Sequence, residues 1–204
     1  GCDRHRVLWN GILMTTKKNI NFSYIFQNTL MNNPKKMAFI EIDGTNIRTR
    51  SFLELDNNIN KVASYFSSQN LKIGNKIAIA IGNRIEFVES LLGIIRAGFV
   101  PVPLNYKLGK VALNHILSDA NCQAIIFEED INKDIPTLAQ DCLIKLKVSL
   151  NPSEDDVMAY EEIMTRSGNS QPPNIEDGDM AMLPYTSGST GNPKGVQLTH
   201  AGQN

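Results

Sequence analysis

The run Ile77-Ala78-Ile79-Ala80-Ile81 limits what this chain can fold into more than any other stretch. It has the length of a strand and is apolar at every position, so both of its faces need cover. Strands of that kind sit inside sheets that are covered on both sides, and such sheets are mostly parallel. The residues that follow keep to this theme. Gly82-Asn83 reads as a turn and residues 86–97 as a helix with two adjoining apolar stripes, Phe87, Leu91, Ile94 and Val88, Leu92, Ile95. Gly98 closes it. Residues 100–104 are extended, and Pro101 and Pro103 limit their ladder pairing. A helix over residues 110–120 then leads to a strand at 124–127. Strand, helix, strand, helix, strand predicts an α/β fold, a largely parallel sheet flanked by helices.

Upstream, residues 22–30 read as a short amphipathic helix stopped by Asn32-Asn33-Pro34. Residues 37–42 and 45–50 read as two strands joined at Asp43-Gly44. Ser51 with Glu54 is a capping box, so a helix opens at Phe52; its stripe Phe52, Leu55, Ile59, Val62, Ala63, Phe66 belongs to a core rather than to a cofactor site. Downstream the signal weakens. Residues 143–148 read as one more strand, 160–164 as a helical turn or two, and 167–179, with Pro172-Pro173, as a polar surface connection. Residues 180–183 read as a buried strand that delivers the following loop from its carboxyl end. There is no internal repeat and no low-complexity segment.

With 204 residues the chain suffices for one domain or for a large piece of a bigger one. A formal net charge of −1 gives no electrostatic footprint for nucleic acid, and no stretch clusters Lys and Arg with aromatics. No apolar run approaches the ~20 residues that cross a bilayer, which excludes a transmembrane helix and leaves peripheral membrane contact open. Cys2, Cys122 and Cys142 lack metal-ligand spacing and fit reduced thiols in a cytoplasmic protein. Neither Cys122 nor Cys142 has a partnering His motif, which argues against a thiol nucleophile. The sequon Asn21-Phe22-Ser23 is expected to be idle. Residues 1–13 share no periodicity with the rest, and the first Met is Met14. The expected division is therefore a non-native or upstream leader over residues 1–13 and the domain proper over 14–204.

The densest chemistry lies in Tyr185-Thr186-Ser187-Gly188-Ser189-Thr190-Gly191-Asn192-Pro193-Lys194-Gly195-Val196. Gly188 and Gly191 let the backbone turn and approach a ligand, and backbone N–H groups freed by such turns form an anion site. Thr186, Ser187, Ser189 and Thr190 add neutral donors, and Lys194 a positive charge. The spacing is wrong for Gly-x-x-x-x-Gly-Lys-Ser/Thr, because Lys194 is followed by Gly195. It is equally wrong for Gly-x-Gly-x-x-Gly. A Ser/Gly surface linker is the competing reading. Other residues are weaker candidates. His200 reads as structural, His115 as a helix residue of surface or core, and Glu128-Glu129-Asp130 and Glu154-Asp155-Asp156 as solvated loops.

The same run, residue for residue, resembles the Ser/Thr-Gly-Ser/Thr-Thr-Gly-x-Pro-Lys-Gly loop of the AMP-forming acyl-adenylating enzymes, among them acyl-CoA synthetases, peptide-synthetase adenylation domains and luciferases. Ile94-Ile95-Arg96-Ala97-Gly98-Phe99-Val100-Pro101-Val102-Pro103-Leu104-Asn105 resembles that family's Ala-Gly…Val-Pro-Leu-Asn segment. Phe52-Leu53-Glu54-Leu55 and Gly74-Asn75-Lys76-Ile77-Ala78-Ile79 match earlier landmarks, so the likeness spans residues 22–200. Pro103-Leu104-Asn105-Tyr106 is more similar to the acyl-CoA synthetases than to the peptide-synthetase domains.

The resemblance implies the N-terminal part of the large domain of an adenylate-forming enzyme. It implies ATP, Mg2+ and CoA as cofactors and a carboxylic acid, fatty or otherwise organic, as substrate. The carboxylate attacks the α-phosphorus of ATP, pyrophosphate leaves, and a thiol then displaces AMP to give a thioester. Thr186, Ser187, Gly188, Ser189, Thr190, Gly191 and Lys194 would grip the β- and γ-phosphates, with Pro193 fixing the loop's exit. Lys194 is not the family's catalytic lysine, which belongs to a mobile C-terminal domain. No catalytic residue and no metal ligand is expected within these residues, nor are the Tyr-Gly-x-Thr-Glu segment, the ribose-binding aspartate and the hinge. The chain alone is expected to be inactive. An amino-acid-activating adenylation domain and a non-catalytic phosphate-binding module are the alternatives.

Overall fold

The computed structural model describes residues 7–9, 12–14, 21–186 and 192–203. Its centre is a five-stranded parallel sheet of β5 (Lys76–Ala80), β6 (Val100–Pro103), β7 (Cys122–Phe127), β8 (Leu146–Ser149) and β9 (Met158–Ala159), in the order β6-β5-β7-β8-β9. The doubly apolar run is thus flanked on both edges and covered on both faces, as its pattern requires. Ile77, Ile79 and Ile81 face one layer of helices, and Ala78 and Ala80 the other. Ile77 and Ile79 are fully buried, and each such side chain contributes about 2 kcal/mol relative to exposure.

The first layer is α2 (Phe52–Ser67), α3 (Ile85–Arg96) and α6 (Tyr160–Met164). The second is α4 (Lys110–Asp119) and α5 (Ile135–Asp141), through Leu113, Ile116, Leu117, Ile135 and Leu138. α2 opens with the expected capping box, in which Ser51 and Glu54 each satisfy the other's backbone N–H. α3 ends where Gly98 takes φ +82°. Outside α2 and α3 lies a third, smaller cluster. Leu55, Ile59 and Leu92 pack against Phe22, Phe26 and Phe39, the last from the hairpin β3 (Met37–Asp43) and β4 (Asn46–Ser51).

Two expectations need correction. Residues 22–30 do not form one helix: Phe22–Tyr24 is a 3-10 turn and α1 (Gln27–Asn32) starts afresh beyond it. The reason is tertiary. Arg96, 3% exposed, donates to Ser23 O at 3.1 Å and stacks over the Tyr24 ring at 4.5 Å, while Asn21 donates to Ile95 O, holding this segment flat on α3. Asn21 is itself buried and caps Ser23 N.

β10 (Met180–Met182) is the expected strand, with Ala181 and the adjoining Leu183 buried. It pairs antiparallel with β13 (Leu198–Thr199) in a separate ribbon, which meets the outer edge of β6 where Leu183 N donates to Pro101 O. Secondly, the acidic run after β7 is not simply solvated. Glu128 is buried, accepting from Gly82 N at 3.2 Å and pairing with Arg84 at 2.7 Å. It closes the gap between the carboxyl ends of β5 and β7. β1 (Val7–Trp9) and β2 (Ile12–Met14) pair antiparallel, Val7 opposite Met14.

Candidate active site

The residues that flank the glycine-rich run pair as a short stalk. β11 (Tyr185–Thr186) and β12 (Lys194–Gly195) run antiparallel with Tyr185 opposite Gly195 and Thr186 opposite Lys194. Below them Val196 N donates to Pro184 O at 2.8 Å. The register therefore sets one predicted hydroxyl donor, Thr186, directly across from the one predicted cation, Lys194. Both are exposed. Ser187, Gly188, Ser189, Thr190 and Gly191 lie outside the described residues.

Gly195 is closely approached. A Cβ there would stand 3.0 Å from Leu183 Cδ1 and 3.2 Å from Tyr185 Cζ, a tight fit that both side chains would have to ease by shifting slightly. The ring's hydroxyl reaches out to α4, donating to Asp119 Oδ2 at 2.5 Å. Burial raises the Tyr185 pKa and the neighbouring carboxylate raises it further, so the phenol keeps its proton. One turn earlier on α4, His115 Nε2 lies 3.1 Å from Pro193 O. A carbonyl oxygen only accepts, so Nε2 carries the hydrogen. His115, Asp119, Asn192, Pro193, Lys194 and Gly195 line an open pocket of about 380 Å³.

Sequence reasoning missed His115 and Asp119 here. The available signal was a pair of polar residues one helical turn apart, on the side of α4 away from Leu113, Ile116 and Leu117. Nothing local ties them to a loop 66 and 78 residues away. His200, read as structural, is 1% exposed and accepts from Phe22 N at 3.2 Å through Nδ1. Burial lowers its pKa, against the pull of Asp179. Cys122 is buried, and desolvation pushes its thiol up to about 12, which leaves it protonated and inert at neutral pH. Among the described residues no three His, Cys, Asp or Glu side chains converge as a metal site.

Arranged this way, the stalk can present an ammonium and a hydroxyl to an anion from opposite strands of one ribbon. The family described as AMP-binding enzyme matches residues 26–203. The chain belongs to the AMP-binding enzyme family. The chain is 30% identical over 152 residues to a feruloyl-CoA synthase of Amycolatopsis, covering 74% of the chain and 28% of that protein. It is 27% identical over 180 residues to a crotonobetaine/carnitine–CoA ligase of Escherichia coli O1:K1, covering 81% of the chain and 34% of the relative. Its fold matches the anthranilate CoA ligase AuaEII, solved with anthranoyl-AMP. The TM-score is 0.78 at 21% identity, over 88% of this chain and 35% of that one. The chain thus spans about a third of the length of the curated relatives it matches.

Proposed function

We propose that the protein to which this AMP-binding chain belongs activates an organic acid as its acyl-adenylate with ATP and transfers the acyl group to the thiol of CoA. The observation that carries the reading is the register of the stalk, which sets Lys194 opposite Thr186 at the two ends of a sequence run of Ser, Thr and Gly. In the first step a carboxylate oxygen bonds to the α-phosphorus and the bond to the bridging oxygen breaks, leaving pyrophosphate. Negative charge accumulates on the departing β- and γ-phosphates, and fixed donors there lower the barrier most. Thr186, Ser187, Ser189 and Thr190 supply hydroxyls, Gly188 and Gly191 backbone amides, and Lys194 the cation.

This donor set suits phosphate oxygens and gives a metal no anionic ligand. Mg2+ is therefore assigned to the nucleotide it accompanies, where it neutralises phosphate charge. The names of the relatives, a feruloyl-CoA synthase and a crotonobetaine/carnitine–CoA ligase, favour CoA as acceptor and an organic acid, fatty or aromatic, as substrate. The thiols of Cys122 and Cys142, free in the fold, suit a cytoplasmic setting. Among the described residues no helix is long and apolar enough to cross a membrane.

Acid-dependent exchange of pyrophosphate into ATP by the full-length protein tests the reading, across a panel of aryl acids, fatty acids and amino acids. Exchange with an aryl or fatty acid and CoA-dependent thioester formation support it. Exchange with an amino acid alone replaces it with the amino-acid-activating alternative. Because the relatives are about three times as long, we assign activity to the whole protein; exchange by these 204 residues alone would overturn that assignment. Lys194→Ala should lower exchange at least tenfold, in line with the loss of a charge-assisted contact.

A further inference from the structure

A ribbon of two residue pairs cannot hold its own shape. Isolated two-stranded ribbons are marginal in water even when longer, and a group misplaced by about 1 Å at a reacting centre can cost ~100-fold in rate. Something else has to fix the stalk, and α4 is placed to do so. Its inner side is rooted in the core through Leu113, Ile116 and Leu117, all at most 1% exposed. Its outer side turns two polar residues, one turn apart, onto the two legs of the stalk. Asp119 takes the Tyr185 hydroxyl on the ascending leg, and His115 gives its Nε2 hydrogen to Pro193 O on the descending leg, one peptide before Lys194.

We propose that His115 and Asp119 are positioning residues for the loop, a bracket on α4 that sets where Lys194 meets the nucleotide phosphates. The proposal rests on the phosphate-gripping role given to the loop above. Neither residue needs to touch nucleotide: His115 acts through the Pro193 carbonyl and Asp119 through Tyr185. The two bonds work together, because releasing one leg leaves the other free to twist about a two-pair ladder. The Tyr185 ring packs close to Gly195, its Cζ 3.2 Å from where a Cβ would stand, while its hydroxyl reaches Asp119.

The test uses the full-length protein and the variants His115→Leu, His115→Gln, Tyr185→Phe and Lys194→Ala. It reads KM for ATP and kcat in acid-dependent pyrophosphate exchange, together with amide hydrogen exchange over residues 183–196 and over β5 and β7. His115→Leu and Tyr185→Phe should each raise KM for ATP about tenfold and speed amide exchange in residues 183–196 alone. His115→Gln, which keeps a donor at the same reach, should return KM to within about threefold of the parent. In a Lys194→Ala background His115→Leu should add less than twofold. If Lys194→Ala impairs exchange while His115→Leu and Tyr185→Phe do not, the bracket is wrong and the phosphate role stands. If Lys194→Ala has no effect, the phosphate role falls and the proposal with it. Faster exchange in β5 and β7 with no rescue by Gln would reduce His115 to a fold-stability residue and overturn the proposal.

Discussion

Gly93 of α3 lies so close to Val62 of α2 that a Cβ at position 93 would come within 2.6 Å of the valine's Cβ and 3.0 Å of Ile59 O. Two backbones meet here with no room for a methyl group, and α2 is itself packed on the sheet. Gly93→Ala should therefore destabilise the fold by about 3 kcal/mol despite its better helix propensity. Urea unfolding of the parent and variant checks this; a neutral or stabilising result would mean that α2 and α3 slide apart freely.

Arg96 is a buried cation with a full set of acceptors. Its guanidinium meets Asp56 Oδ1 at 2.7 Å, Asn60 Oδ1 at 2.7 Å and Ser23 O at 3.1 Å. Removing one partner of such a pair leaves the other charge poorly solvated, so Arg96→Ala should cost about 3–5 kcal/mol. It should also loosen residues 21–24, readable as faster proteolysis near Tyr24. Arg96→Lys cannot reproduce the planar fork and should recover only part of the loss.

Leu143 has φ +56° and an almost fully exposed side chain. A leucine pays a steric penalty in that conformation and gains no burial in return. Leu143→Asn or Leu143→Gly should stabilise the chain by about 0.5–1 kcal/mol, read as a rise in the thermal midpoint. A fall would show that the leucine side chain is covered in the whole protein.

Glu86 gives the fold an acid sensitivity. Burial pushes its carboxyl upward, but the Arg48 guanidinium at 2.6 Å, with Arg84 nearby, overrides this and holds its pKa below the usual range. A carboxylate depressed on folding stabilises the native state at pH values above its unfolded pKa. That contribution fades as pH falls from about 4.5 through the lower folded value. The urea midpoint of the parent should drop in that window. In Glu86→Gln the drop should be shallower, starting from lower stability at pH 7. Parallel pH profiles would contradict the assignment.

What the sequence disclosed was mainly what is encoded locally. The capping box at Ser51 and the two-faced apolar run at 77–81 determined α2 and β5 because each carries its structural reason within a few residues. α5 escaped notice because it is only seven residues long and carries Pro136 in its first turn. β9 is two residues and has no pattern to read. Residues 180–183 look the same to a pattern whether their partner is a central sheet or a ribbon, and only pairing with β13 decides it. The break at Tyr24 is imposed by Arg96, far along the chain. For the site, the order of residues in the loop was legible from its chemistry. The grip of His115 and Asp119 was not, since it joins elements that local spacing cannot connect.

The strand order β6-β5-β7-β8-β9 also limits which edges a growing chain can cover. During synthesis β5 is the first strand of this sheet to be made; β6 then covers one of its edges and β7 the other. Every later strand joins at the growing outer side. Until residue 127 is available, a nascent chain leaves an isoleucine-rich strand with an unpaired edge, the form in which strands recruit one another between molecules. The expression yield of truncations ending before β7 should thus depend on chaperones far more than that of chains that include it. The stretch most decisive for the native sheet is also its greatest hazard on the way there.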